Sequence, residues 1–167
     1  TDVADNCGTC DSDSSNDCTQ DCNDTWGGTD VADNCGTCDS DSSNDCITIS
    51  MSSSSTSSAS VNYTSSLDIG GFEFTVSGAT LTGVSSDLGE VSFNAINGKV
   101  LGFDFGGGFL AAGSGSLATL EFTESSDGHS LSVSDVVLSS PSGSVLTTGS
   151  LSGTDVAACD DVDDDDL

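Results

Sequence analysis

Large apolar side chains alternate with polar ones in short runs, and nearly all of these runs lie between residues 47 and 153. In the first run, Ile47, Ile49 and Met51 alternate with Thr and Ser. Alternation with period two places one set of side chains on one face of a β-strand. No stretch of about 11 residues or more has the periodicity of a helix. The central residues therefore predict an all-β domain.

Further strand-like runs follow the first one along the chain. The sequences that predict them are SVNYTSS, GFEFTV, ATLTGV, EVSFNAI, KVLGFDF, SLATLEF, SLSVSDVVLS and SVLTTGSL. Asn97-Gly98 and Asp127-Gly128 are hairpin signals. The tract SMSSSSTSSAS has the composition of a flexible or O-glycosylated linker, although Ser and Thr runs also occur on exposed edge strands. Nine to ten short strands predict an antiparallel β-sandwich.

The charge excludes two classes of partner. The chain has 28 acidic residues and one Lys or Arg, which gives a net charge of −27. Nucleic acid and anionic membranes require a basic surface that this chain cannot form. No apolar run approaches the roughly 20 residues of a membrane helix, so membrane insertion is not expected. Cations, sugars and other proteins remain as partners.

Acidic residues and cysteines concentrate at the two ends of the chain. Residues 1–46 contain twelve Asp and seven of the eight Cys, and residues 154–167 contain seven Asp and the last Cys. The sequence thus predicts a Cys/Asp-rich arm at 1–46, a β-sandwich at 47–153 and an acidic C-terminal arm at 154–167. The arms hold too few apolar residues to form a core, so without a ligand or cross-links they would be solvated linkers.

The N-terminal arm contains an internal duplication. The sequence TDVADNCGTCDSDSSNDC occurs at residues 1–18 and again without change at 29–46, with a period of 28 residues. The pentapeptide GTDVA at 28–32 returns at 153–157. Both ends are therefore predicted to belong to one repeat type, as in a unit of a longer repetitive polymer.

The duplicated segment spaces oxygen ligands as calcium requires. Asp11, Asp13 and Asp17 lie at alternate or near-alternate positions with Ser15 and Asn16 between them. The loop is not an EF-hand, because a Cys stands where the bidentate Glu would be. The remaining ligands must come from neighbouring residues. The predicted calcium ligands are Asp5, Asp11, Asp13, Asp17, Asp21, Asp33, Asp39, Asp41, Asp45, Asp160, Asp161, Asp163 and Asp165.

The cysteine content predicts disulfides in an oxidising extracellular compartment, in preference to thiolate zinc sites. The predicted disulfide residues are Cys7, Cys10, Cys18, Cys22, Cys35, Cys38, Cys46 and Cys159. A pairing consistent with the repeat joins Cys10 to Cys18, Cys38 to Cys46, and Cys22 to Cys35. Cys7 and Cys159 would then pair within one chain, or Cys159 of one unit would join Cys7 of the next and link a polymer covalently.

The arms resemble thrombospondin type 3-like repeats and the related Cys/Asp/Gly/Trp repeats of large secreted bacterial proteins. The resemblance rests on DNCGTCDSDSSNDC, on DCNDTWGG between the copies and on ACDDVDDDD near the C-terminus. It implies arms held by calcium ions and a ladder of disulfides.

The central domain resembles cohesin-like domains of bacterial extracellular proteins over roughly residues 61–151. The motifs are DIGGFEFTVSGATL, KVLGFDF, GSGSLATLEF and LSVSDVVLSSPSGSVL, in this order. The resemblance implies a flattened nine-stranded jelly-roll sandwich. Cohesins bind dockerins through one face of a sheet.

Few side chains suit catalysis. His129 is the only histidine and is predicted to lie exposed in a hairpin loop, without a catalytic partner. Glu73 and Glu121 alternate with core residues and should point to solvent, and Lys99 follows a turn. Trp26 has no neighbouring aromatic side chains with which to form a sugar platform. No enzymatic activity is expected.

Two sequons place candidate N-linked glycans at Asn23 and Asn62.

Taken together, the repeats, the cysteines, the acidic loops and the predicted sandwich predict a secreted structural subunit of a fibre or surface array. The subunit would assemble head to tail with copies of itself through calcium-bound, disulfide-linked arms. Residues 47–51 are a candidate for strand addition to a neighbour. The alternatives are a cohesin-like module that binds protein or carbohydrate on acidic spacers, and a simple calcium-dependent spacer.

Overall fold

The computed structural model describes residues 3–4, 7–8, 10–11, 17–33, 35–41 and 45–159, and these residues form strands, turns and irregular segments. The strands are β1 Val3–Ala4, β2 Cys10–Asp11, β3 Val31–Ala32, β4 Cys38–Asp39, β5 Ile47–Ser55, β6 Ser58–Ser65, β7 Gly71–Ser77, β8 Leu81–Ser85, β9 Glu90–Asn94, β10 Lys99–Phe103, β11 Gly113–Phe122, β12 His129–Ser139, β13 Val145–Leu146, β14 Thr148–Ser152 and β15 Thr154–Val156. Within these ranges, no helix is long and apolar enough to span a membrane.

The chain divides into two compact units, Thr1–Asp45 and Cys46–Leu167. The second unit is a sandwich of two sheets. Sheet A has the strand order β13-β12-β7-β10-β9, with β15 also paired to β12. Sheet B has the order β14-β5-β6-β11-β8. All pairs are antiparallel except β14 and β5, which run parallel. The predicted all-β sandwich fold is confirmed.

The core lies between the inner faces of the two sheets, because alternate side chains of each strand point inward. Its fully buried members include Phe74, Val100 and Leu138 from sheet A and Ile49, Val61 and Leu120 from sheet B. Both sheets therefore contribute alternating apolar positions of the kind expected from the sequence.

The Ser/Thr tract at residues 50–60 is not a linker, which corrects the expectation from composition. It forms the second half of β5, a turn at Thr56-Ser57 and the start of β6. The backbone N–H of Phe122 donates to Ser57 O at 3.0 Å, and Thr56 Oγ1 donates to Glu124 Oε1 at 2.6 Å. Residues 47–51 are likewise built into their own sandwich, since β5 pairs with β6 on one side and β14 on the other.

The two copies of GTDVA have different surroundings. In the first unit, Val31 of β3 is 70% exposed, whereas Val156 of β15 is 4% exposed and pairs with His129. The sheet therefore extends past residue 153, where the sequence predicted the C-terminal arm to begin. The burial of the valine differs between the two identical pentapeptides because only the second pairs with β12.

The duplicated segments of the first unit form matching hairpins. In the first copy Val3 pairs with Asp11, and in the second Val31 pairs with Asp39, which is the same register displaced by 28 residues. Gly8 and Gly36 have φ values of +86° and +83° at equivalent turn positions. A left-handed conformation at these positions favours glycine.

Candidate functional site

The outer face of sheet A carries a row of apolar side chains beside one ion pair. Glu73 in β7 lies between Leu101 in β10 and Val137 in β12 in the strand register. In the next row, Gly71 lies between Phe103 and Ser139. These residues occupy the outward positions of their strands, opposite to the buried core set.

Gly71 creates a depression in this face because it has no side chain between β10 and β12. A Cβ at this position would lie 2.9 Å from Ser139 Oγ and 4.0 Å from Phe103 Cβ. The depression has a volume of about 300 Å³. Its lining side chains are mainly apolar, and they include Leu101, Phe103 and Val137. It can hold one apolar side chain of a partner.

A salt bridge borders the depression. Lys99 Nζ lies 2.8 Å from Glu73 Oε1, and the two side chains are 50% and 36% exposed. Lys99 is the only Lys or Arg in the sequence. A second hollow runs beside it along β9 and β10, and both polar and apolar residues line it, among them Ser92, Phe93 and Asn94.

The apolar surface continues beyond the end of β10. The rings of Phe103 and Phe105 meet edge to face with centroids 4.7 Å apart, and Phe105 is almost fully exposed. Asp104 Oδ1 accepts a hydrogen bond from the Gly106 backbone N–H and thereby closes the loop that carries Phe105. We call this surface the apolar strip. It consists of Leu101, Phe103, Phe105 and Val137.

The outer face of sheet B has a different composition. Its rows of paired outward residues carry hydroxyl and amide groups, with Glu121 at the margin. Neighbours bond to one another, as in Asn62 Nδ2 to Ser52 Oγ at 3.0 Å and Thr64 Oγ1 to Ser114 Oγ at 2.9 Å. We call this surface the hydroxyl face. Its outward residues in β5, β6 and β11 are Thr48, Ser50, Ser52, Ser58, Ser60, Asn62, Thr64, Ser114, Ser116, Thr119 and Glu121.

In the first unit, two loops are closed by an aspartate in the same way. Asp33 Oδ1 accepts hydrogen bonds from the backbone N–H groups of Cys35 and Thr37, at 2.8 and 2.7 Å. Asp21 Oδ1 accepts equivalent bonds from Asn23 and Thr25, each at 2.9 Å. Each loop is thus fixed by one carboxylate oxygen.

The second oxygen of Asp33 is a candidate cation ligand. Asp33 Oδ2 is buried and has no hydrogen-bond partner. Asp33 is one of the residues that line a cavity of about 430 Å³, together with Thr29, Val31, Ala32, Asp39, Ser40, Asp41 and Asp45. A buried carboxylate oxygen without a partner is costly, so a cation in this cavity would relieve that cost.

The other predicted calcium ligands are only partly placed. Across the described residues, no group of three or more His, Cys, Asp or Glu side chains is close enough to hold a metal ion. Asp17 is exposed, and Asp21 closes its own loop away from the cavity. Outside the described residues or side chains lie Asp5, Asp11, Asp13, Asp160, Asp161, Asp163 and Asp165.

Disulfides form, but the predicted pairing is wrong. Cys7 pairs with Cys18, and Cys22 pairs with Cys38. Cys35 and Cys46 are also in disulfide form. They stand 28 residues after Cys7 and Cys18, which makes them the equivalent positions of the second copy. The side chain of Cys10 lies outside the described set.

The predicted pairing of Cys7 with Cys159, within one chain or between units, is also wrong. Cys7 already has Cys18 as its partner, and Cys159 is a free thiol. The pairing could not be read from the sequence because it depends on which side of each two-stranded hairpin faces its neighbour.

The two candidate glycosylation residues differ in their bonding. Asn23 Nδ2 donates to Asp30 Oδ2 at 2.9 Å and to Cys38 O at 3.0 Å. A glycosylated amide keeps one N–H, so one of these bonds would be lost. Asn62 Nδ2 donates to Ser52 Oγ at 3.0 Å, on the hydroxyl face.

His129 is not in an exposed loop, which corrects its predicted position. It begins β12, and its ring nitrogens lie 3.1 Å from Gly78 O and 2.8 Å from Thr123 O. Its ring also packs edge to face against Phe122. Glu121 is exposed, as the alternation predicts, and Trp26 is 45% exposed in the first unit.

Sequence reasoning did not find the apolar strip or its depression. The signal was present, since KVLGFDF places Leu101 and Phe103 on the face opposite to Val100. Apolar residues on both faces of one strand indicate that the outer face of the sheet is also an interaction surface. Gly71 appeared only as the first residue of the predicted strand GFEFTV.

No family model matches the sequence, and no curated protein is significantly similar to it. Two solved structures have the same fold. One is a protein of the CaDoc0917–CaCohA2 complex, with a TM-score of 0.51 and 15% identity, over 66% of this chain and 99% of that chain. The other belongs to a type I cohesin–dockerin complex from Clostridium thermocellum, with a TM-score of 0.51 and 8% identity, over 72% and 99%. The sandwich has a cohesin-like fold. The resemblance of the central domain is confirmed at the level of fold.

Proposed function

We propose that the sandwich is a protein-binding module whose partner docks on the outer face of sheet A. The observation that carries this proposal is the depression at Gly71, bordered by Leu101, Phe103 and Val137. Exposed apolar side chains around a concave centre, with a polar rim, are typical of docking surfaces. The hydroxyl face has no comparable apolar centre.

The related solved structures support this proposal. One of the two is described as a cohesin–dockerin complex, which is an association of two proteins. A dockerin-like protein is accordingly the first class of partner to consider. The disulfides of the first unit and the acidic surface support a secreted location, where such complexes would assemble.

A photo-crosslinking amino acid tests the docking face. It is placed at residue 101 in the apolar strip and, as a matched control, at residue 62 on the hydroxyl face. The labelled full chain is added to the extracellular material of its source, irradiated and examined by mass spectrometry. We expect one dominant cross-linked protein from residue 101 and none above background from residue 62. Equal labelling from both positions would contradict the proposal.

The second candidate function is a structural subunit of an extracellular fibre or array. It is favoured by the unchanged duplication at 1–18 and 29–46, whose hairpins share one register. In this candidate function the arms are the assembling elements. A cross-link to another copy of the chain from a photo-crosslinker at residue 31, which is 70% exposed in the arm, would support it.

We further propose that the second copy of the repeat binds calcium. Asp33 Oδ2 supplies a buried oxygen without a partner, and Asp39, Asp41 and Asp45 line the same cavity. Calcium prefers carboxylate and carbonyl oxygens in flexible numbers. Because the carboxylates do not form a compact group by themselves, the ion would draw them together and make the arm more compact.

Terbium, which replaces calcium, gives a direct test because Trp26 is the only Trp in the chain and lies in the same unit. Excitation of Trp26 should produce terbium emission that excess calcium removes. Asp33→Asn keeps the loop-closing Oδ1 but replaces Oδ2 by an N–H donor, so we expect the terbium affinity to fall at least about tenfold. Asp21→Asn makes the same change in the equivalent loop and should leave the affinity nearly unchanged. Equal losses in both variants would contradict the assignment.

Electron microscopy of native, non-reduced material tests the fibre. Regular filaments in millimolar calcium that loosen after chelation support the structural subunit. Isolated particles in both conditions leave the protein-binding module as the better account.

A further inference from the structure

We infer that the segment docking on sheet A is basic and inserts one apolar side chain into the depression at Gly71. This inference rests on the proposed protein-binding function and specifies the chemistry of the partner. It arises from the shape of the outer face and from the distribution of charge around it.

The shape of the face fixes the apolar part of the partner. The depression is open on one side and holds about 300 Å³ between β10 and β12, with Gly71 at its floor. Leu101 and Val137 both line the depression, so an inserted aliphatic side chain would contact both. Burial of such a side chain removes apolar surface from water on both partners.

The negative charge of the molecule determines the charge expected of the docking segment. The sequence carries a net charge of −27. On the outer face of sheet A, Glu73 forms the ion pair with Lys99, and Glu90 lies beside Phe103 in the strand register without an ion-pair partner among the described residues. A negative field of this kind attracts positive segments and raises their rate of association. An acidic segment would be repelled before it reached the depression.

A basic group of the partner can replace Lys99 in the ion pair with Glu73 at the rim of the depression. Lys99 and Glu73 are both exposed, and an exposed salt bridge contributes little to stability. A guanidinium or ammonium group of the partner can therefore reach Glu73 without a large penalty. Lys99 holds the Glu73 carboxylate beside the depression until the partner arrives.

The amino-acid composition excludes a second copy of this chain as the partner that docks on sheet A. A chain with a single Lys or Arg cannot present a basic segment. Copies that assemble into a fibre would have to meet through another surface, and a different protein would occupy the face of sheet A.

Defined peptides test this inference with the full chain. The probe is a fluorescein-labelled amphipathic peptide with a central Leu flanked by Arg residues. Two matched peptides replace the Leu by Ser or the Arg residues by Glu. Fluorescence anisotropy at about physiological salt measures the affinity, since salt screens distant charges there.

We expect the Leu/Arg peptide to bind and both matched peptides to bind at least about tenfold more weakly. Leu101→Ser should weaken binding by a similar factor, although it changes no charge. Leu151→Ser, at an apolar residue of similar exposure in sheet B, should leave binding unchanged. Glu73→Gln should weaken binding by up to about fivefold, the upper range for an exposed charge pair.

Equal binding of the Leu/Arg peptide to the wild type and to Leu101→Ser would overturn the inference, because the acidic arms would then be the site. Absence of binding by the Leu/Arg peptide would also overturn it. Neither result removes the proposed docking function, which fails only if the photo-crosslinker at residue 101 gives no specific product.

Discussion

The two outer faces of the sandwich are built from the same alternation, but they differ in what they present to solvent. Sheet A presents the exposed Leu101 and Val137 and the half-buried Phe103 around a depression, with the only Lys or Arg of the sequence at its rim. Sheet B exposes rows of Ser, Thr and Asn that bond to one another. The inner faces of both sheets are equally apolar.

This difference shows where function and stability separate in the molecule. The inward residues are selected by packing, so they are similar in the two sheets. The outward residues have no packing role within the chain, and an apolar cluster among them requires another explanation. Docking of a partner on sheet A provides that explanation, and the hydroxyl face serves as an internal control.

The largest effect is expected from a pair of glycines that lie on opposite sides of sheet A. A Cβ at Gly102 would overlap the ring of Phe72 inside the core, whereas a Cβ at Gly71 would be too close only to the movable Ser139 hydroxyl and would otherwise make ordinary contacts. We expect Gly102→Ala to lower the free energy of unfolding by about 1–3 kcal/mol through overpacking. Gly71→Ala should change it by less than about 1 kcal/mol. Chemical denaturation measures both, and equal losses would show that Gly71 has a packing role.

The next effect concerns Tyr63, which lies beneath the hydroxyl face. Its hydroxyl donates to Ala111 O at 2.8 Å, so Tyr63→Phe should lower the free energy of unfolding by about 1 kcal/mol at neutral pH. Burial raises the pKa of the Tyr63 phenol above its usual value of 10.0, and the charge of Asp68 raises it further.

This pKa shift has a definite sign in the pH dependence of stability. The unfolded state releases the phenolic proton near pH 10 and the folded state releases it at higher pH. The stabilisation is therefore fully present below pH 10 and is lost as the pH rises through the folded pKa. Tyr63→Phe should remove this alkaline loss. An unchanged alkaline denaturation profile would contradict the role given to Tyr63.

A smaller effect is expected at the rim of the depression. Lys99→Met removes the salt bridge to Glu73, and because both groups are exposed the free energy of unfolding should change by less than about 1 kcal/mol. The difference should shrink further at high salt. A loss of several kcal/mol in thermal denaturation would mean that the pair is structural, which would remove the argument for its exchange.

The smallest effect is expected on the hydroxyl face. Asn62→Gln should alter the free energy of unfolding by no more than about 0.5 kcal/mol. If the native protein carries a glycan at Asn62, the same change removes that glycan, and intact-mass measurement detects the loss. Weaker partner binding in the glycan-free variant would contradict the assignment of docking to sheet A alone.

Much of the sandwich could be predicted because its strands have one buried face. Buried Phe72, Phe74 and Val76 alternate with the half-buried Glu73 and Thr75, and the strand GFEFTV is found as β7 Gly71–Ser77. The hairpin signal Asn97-Gly98 lies at the end of the turn between β9 and β10. These features are local, so the sequence contains them in full.

The parts that could not be predicted depend on tertiary context. Beyond Met51 the strand β5 has no apolar alternation, because its residues pair with β6 without covering the core. Val156 is buried because its strand pairs with β12, whereas Val31 in the same pentapeptide is exposed. The disulfide partners and the depression at Gly71 likewise arise from residues distant in sequence.

Footprinting with hydroxyl radicals tests the central claim most directly. The native extracellular material and the isolated chain are oxidised in parallel, and modification of Leu101 in sheet A is compared with that of Leu151 in sheet B. These side chains are 38% and 42% exposed in the isolated chain, so they should react to similar extents. We predict that the native material protects Leu101 and leaves Leu151 reactive. Protection of Leu151 with Leu101 fully reactive would contradict docking on sheet A.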